Sequence, residues 1–123
     1  MRAGAHTRLA EWLRARAARA AEFRVGDPVI FRAAKVSAHP GPRAVDVAPA
    51  ARGESYSYVV DKLWRVEEVL ADGRLVLATR RGKRHTLEAT SRQLRHPSWL
   101  ERWRYRDRFP APPAPPRALR PVR

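Results

Sequence analysis

Between Tyr56 and Ala89 the side chains alternate in character along three successive runs, cut apart by two tight turns. Tyr56, Tyr58 and Val60 alternate with Ser57, Val59 and Asp61, the period of two that marks a strand with unlike faces. The strand continues through Leu63-Trp64-Arg65-Val66 to Val69-Leu70, with a slip near Glu67-Glu68 that predicts a bulge or sharp bend. Asp72-Gly73 is a two-residue hairpin signal, because such a turn needs positive φ. Leu75, Leu77 and Thr79 then alternate with Arg74, Val76, Ala78 and Arg80, and Arg81-Gly82 makes the second turn. Lys83 to Ala89 returns with His85, Leu87 and Ala89 on one side. Hairpins in series predict an antiparallel, mainly β fold.

The flanks have different grammar. Over residues 5–22, Leu9, Trp12, Leu13, Ala17 and Ala20 recur at helical spacing, with Arg16 inside the stripe. This predicts an N-terminal helix within residues 1–22, stopping before Gly26. Val29-Ile30-Phe31 follows the Val25-Gly26-Asp27-Pro28 turn as a strand. Residues 36–55 hold Pro40, Gly41, Pro42, Pro49 and Gly53 without periodicity and read as a long loop. Residues 90–95 read as a single helical turn. Ser98-Trp99-Leu100-Glu101 fits a capping box at the start of a C-terminal helix within residues 96–109. Its Trp99, Leu100 and Trp103 are expected to form an apolar stripe, the two indoles pinning the helix to the β domain. Residues 110–123 form a proline-rich basic tail, expected to be extended and disordered.

Charge narrows the function. Lys plus Arg number 26 against 12 Asp plus Glu, a formal net charge of +14, and all the basic residues except Lys35, Lys62 and Lys83 are arginines. A field this positive attracts polyanions, and the guanidinium fork suits phosphates and base edges. There is no Cys, so no disulfide framework or Cys-ligated zinc is possible. No apolar run approaches the ~20 residues of a membrane span, and no secretory leader is legible. The expected setting is cytoplasmic, with no membrane association.

The order FRVGDPVIFR followed by KLWRVEEVLADGRLVLATRRGKRHTLEATSRQLR resembles the SH3-like C-terminal domain of retroelement integrases. The matching elements are Val25-Gly26-Asp27, Lys62-Leu63-Trp64, Val66 to Gly73, Leu75 to Arg81, and Leu94-Arg95. The resemblance covers about half of the chain and rests on strands and turns. It implies a small SH3-like barrel over residues 23–95, flanked by the two helices, that binds nucleic acid. It does not imply strand transfer, because the acidic catalytic core of that family has no counterpart here. The loop at 36–55 is longer than the family pattern, and the helices and tail have no place in it.

Nothing in the chain predicts catalysis. His6, His39, His85 and His96 lack the i, i+4 spacing of a helical zinc site, and Asp46, Asp61, Glu67, Glu68, Asp72 and Glu88 are scattered. His85, in a strand beside basic residues, reads as structural or phosphate-contacting. Neither enzymatic activity nor a cofactor is expected. The strongest constellation is Arg80, Arg81, Lys83 and Arg84 around Gly82, a cationic hairpin tip suited to a phosphate backbone. The alternative is a solvated turn that blunts a sheet edge. Arg74, Arg104 and Arg108 complete the expected phosphate-contacting set. Tyr56, Tyr58 and Trp64 are candidates for stacking on bases, or else for barrel core. The expected partner is DNA or RNA, held largely without sequence specificity. The alternatives are an adaptor that meets a protein through the barrel and the proline-rich tail, or a ribonucleoprotein subunit.

Overall fold

The structure, a computed structural model, describes residues 3–112; the proline-rich tail beyond residue 112 lies outside the described residues. The elements are α1 (Ala3–Ala20), β1 (Pro28–Ser37), β2 (Val45–Pro49), β3 (Tyr56–Val69), β4 (Arg74–Ala78), β5 (Arg84–Glu88), β6 (Leu94–Arg95) and α2 (Trp99–Arg104). The chain is therefore mainly β with two helices. No helix among the described residues is long and apolar enough to cross a membrane.

All strand pairings are antiparallel. The sheet runs β5-β4-β3-β1-β6, with β2 also paired to β3. Strand β3 is the spine. It pairs with β1 from Pro28↔Arg65 to Ser37↔Tyr56 along one edge, and with β2 and β4 end to end along the other. The slip at Glu67-Glu68 is a register shift between Val66 and Glu68. Gly73 and Gly82 take φ of +86° and +88° at the two hairpin turns, which is why glycine stands there. Residues 90–95, expected as a helical turn, instead pass through a turn into β6.

Three expectations are corrected. The barrel over residues 23–95 is not closed: β5 and β6 end the sheet without pairing to each other. Strand β6 is two residues long and meets only Ile30 and Phe31, too short to seal a seam. Residues 36–55 are not all loop. Strand β1 runs to Ser37, and β2 pairs Val45↔Val59 and Pro49↔Tyr56 around an irregularity and a positive φ of 53° at Asp46. Every residue of β2 is exposed, so no buried face imposes an alternation on its sequence. The C-terminal helix is shorter than 96–109. It is six residues long and passes into turns at Tyr105, with Phe109 and Pro110 buried beyond it.

The core lies on one face of the sheet, where Val29, Trp64, Val66, Leu75, Leu77 and Leu94 meet Ala20 and Phe23 at the end of α1. The expected apolar stripe of α1 is not buried as a unit: Leu9, Trp12 and Leu13 are exposed, and Ala20 is covered. Only the C-terminal part of the helix reaches the sheet. There the Arg16 stem is buried, while Arg19 donates from Nε to the Ala89 carbonyl (3.2 Å) and from Nη2 to that of Leu94 (3.4 Å). Likewise Trp99 and Trp103 do not pin α2; they are 80% and 64% exposed. Glu101, Tyr105 and Arg108 recur at helical spacing and are the half-buried positions instead, which turns both indoles outward.

A charged clamp holds α2. The Ser98–Glu101 capping box forms as expected, and Arg95 donates to both Glu101 oxygens, at 2.7 and 2.9 Å. This fork, with the Ser98 backbone N–H, holds the Glu101 carboxyl down to about 2 from 4.5. A carboxyl depressed in the folded state adds stability in full above its unfolded value, and loses it as pH falls towards the folded value. The window here is pH 4.5 down to about 2. A carboxyl-detected NMR titration is expected to place the Glu101 midpoint near 2, with Arg95→Gln moving it up towards 4.5. A wild-type midpoint already in the ordinary range would show that the fork does not persist in solution.

Candidate nucleic-acid interface

Directly paired residues share a sheet face, and the β1–β3 register pairs Val29↔Trp64, Phe31↔Lys62, Ala33↔Val60 and Lys35↔Tyr58. The face that carries the core therefore continues outward along both strands. At the covered end its residues are Val29, Trp64 and Val66. At the open end it presents Lys35 and Lys62, at positions where the same alternation would put core. Beyond Phe31 the far side of β1 has no partner strand, and β3 is unpaired on its far side between the β2 and β4 ladders, so the cations flank a local opening in the sheet.

The open end is a groove. Its larger part has a volume of about 1150 Å³ and lies between β1, β3 and the β4–β5 hairpin. Its smaller part, about 260 Å³, reaches Tyr105 after α2. Arg43, Asp61, Leu63 and Arg108 border both parts, although Ile30, Asp61 and Leu63 of the smaller part stand on the opposite sheet face from Phe31, Lys62 and Trp64. Lys35, Arg43 and Lys62 line the larger part from the first strands and their connection, Arg80, Arg81 and Lys83 from the hairpin tip, and Arg108 from beyond α2.

None of these seven cations forms an ion pair among the described residues. The carboxylates serve other arginines: Glu88 faces Arg16, Glu22 Arg19, Asp72 Arg74, Glu67 Arg84 and Glu101 Arg95. Asp61 lines the groove, but its carboxylate accepts from Arg32 Nε at 3.0 Å. Burial, followed by the charges of Lys35 and Arg43, holds the Lys62 ammonium below its ordinary value of 10.5. The groove is thus a site of cation–cation repulsion that an anion would relieve. Arg108 lies 4.8 Å over the Tyr105 ring, and its buried Nε has no hydrogen-bond partner.

Three rings stack on the groove face. Phe31 and Trp64 are 4.9 Å apart at 9°, and Trp64 and His85 are 4.6 Å apart at 9°. Trp64 is buried, Phe31 half-buried and His85 exposed.

Of the residues singled out in the sequence, Arg80, Arg81, Lys83 and Arg108 converge on the groove. Arg84 does not, because strand alternation turns it away from His85 and onto Glu67, at 2.8 Å. Arg74 is bound to Asp72 at the opposite turn, at 2.7 Å. Arg104 lies 5.9 Å over Tyr105. Tyr56 and Tyr58 are half-buried at the start of β3, where the Tyr58 and Ser37 hydroxyls share a 3.0 Å hydrogen bond. Trp64 is in the core and on the groove wall at once. Sequence reasoning passed over Phe31, Lys35, Arg43 and Lys62. A signal was available for three of them: Phe31-x-Ala33-x-Lys35 and Val60-x-Lys62-x-Trp64 continue a core alternation into cations. Arg43 carries no such signal.

Comparisons of the chain with protein-family models, with curated proteins and with solved structures found no match.

Proposed function

We propose that this chain is a nucleic-acid-binding module that grips a phosphate backbone in the groove, largely without reading sequence. One observation carries the reading: seven cations that form no ion pair among the described residues line one groove. Phosphate contacts position a chain on nucleic acid, whereas base edges specify sequence; the groove is rich in the first kind of donor. We read the sheet as an opened relative of the SH3-like barrel. The long, bulged β3, shared between β1 on one edge and β2 and β4 on the other, supports that reading.

A salt titration tests the function. The log affinity for two unrelated duplexes is expected to fall linearly with log salt, similarly for both, with a slope of about −0.9 for each phosphate neutralised. Absence of binding at roughly 50 mM salt would overturn the proposal. A second reading, an adaptor for a protein partner, is favoured by the exposed Trp99, Leu100 and Trp103. Binding through those side chains would show little salt dependence.

A further inference from the structure

We propose that the ligand of the groove is a single-stranded nucleic acid, and that one of its unpaired bases stacks on the open face of His85. This rests on the reading of the groove as a nucleic-acid site and goes beyond it by naming the strand form and the base platform.

The Phe31–Trp64–His85 column is unfinished at its outer end. The inner contacts are near-parallel, at 9° each, so the His85 ring lies flat against Trp64 with one face covered. His85 itself is exposed. A flat ring held by an indole behind it, presented beside cations, is a platform the size of a base. Its position among those cations is set by the fold. Lys83 and His85 both line the groove, as do Arg80 and Arg81 in the turn that precedes them. A base on His85 therefore sits next to donors for its own phosphates.

A duplex cannot use this arrangement. Its base faces are covered by neighbouring base pairs, and it offers the groove only phosphates and edges. A single strand supplies phosphates and ring faces together, the combination met by basic grooves with aromatic platforms. The far end fits a strand as well. Arg108 lines both parts of the groove and forms no ion pair among the described residues, which leaves its charge for a phosphate. The larger part, at about 1150 Å³, is comparable with the ~300–1,000 Å³ of small-ligand sites. It suits a short run of one strand better than the body of a duplex.

The test compares the wild type, His85→Ala and His85→Phe on three probes of equal length: a single strand, the same backbone made abasic at its centre, and a duplex. The wild type is expected to prefer the base-bearing strand. His85→Ala should weaken that strand roughly tenfold, leave the abasic strand and the duplex within twofold, and keep the salt slope. His85→Phe, which restores a flat ring, should recover the strand. Circular dichroism melts confirm that both variants fold. If His85→Ala weakens all three probes equally, or none, His85 is a lid on Trp64 and the inference is overturned. If the wild type binds the duplex as tightly as the strand, with the expected salt slope, the strand preference fails while the groove reading stands. If it binds no probe at low salt, both fall.

Discussion

Replacing Lys35, Lys62, Arg81 and Lys83 together with glutamine is expected to weaken nucleic-acid binding by about a thousandfold at 0.1 M salt and to flatten the salt slope on a duplex by roughly 3 to 4 units. Each side chain that neutralises a phosphate releases about 0.9 of a counterion, and four such contacts multiply. The fold is expected to survive, because none of the four side chains has an ion pair among the described residues. Removing Lys62 beside Lys35 and Arg43 even relieves a repulsion. The matched control is Arg32, Arg74 and Arg84 changed to glutamine. It lowers the net charge by nearly as much, but these arginines are held by Asp61, Asp72 and Glu67. If binding answers to the groove, the control flattens the slope by less than about one unit. Equal losses from both sets would mean that overall charge, and not the groove, attracts the ligand.

Gly73→Ala is expected to destabilise the fold by about 3 kcal/mol, against about 1 kcal/mol for Gly82→Ala. Both glycines have the left-handed φ of a tight hairpin, +86° and +88°, so both alanines carry the same backbone strain. They differ in what a Cβ would meet. At Gly82 nothing lies within 4 Å. At Gly73 it would stand 2.8 Å from Arg16 Cγ and 3.2 Å from the Arg16 carbonyl oxygen. The buried Arg16 side chain must move, and α1, which carries the carbonyl, must give by a few tenths of an ångström. Both shifts loosen the packing of the helix end on the core around Ala20 and Phe23. Urea unfolding of the two variants measures the difference directly. Equal losses would show that α1 yields without cost and is not part of the cooperative unit.

That contact separates what was legible in the sequence from what was not. Asp72-Gly73 announces a hairpin in a two-residue span, because only a residue free to take positive φ closes such a turn. The slip at Glu67-Glu68, the capping box at Ser98 and Glu101, and the period of two through β3, β4 and β5 are equally local. Each is a relation between residues a few positions apart. They mark strands and turns, but they do not decide the order of strands in the sheet or whether its edges meet.

Tertiary structure decided the rest. The second reason for glycine at position 73 is a helix carbonyl more than fifty residues earlier in the chain. Strand β2 exists because β3 offers it hydrogen bonds; with every residue exposed, its sequence bears no imprint of a buried face. The groove exists because the β1–β3 register places Phe31 beside Lys62 and Ala33 beside Val60; each segment shows its own alternation running into a cation, but the pairing across some thirty residues is not written in either. The surplus of arginine fixes the formal net charge at +14. Which cations remain free was set by where the fold put the carboxylates, because Arg84 and Lys83 are neighbours in sequence and only Arg84 reaches one. Composition thus fixes the sum of the charges, while the distances between them, and so their pairing, arise only when the strands come together.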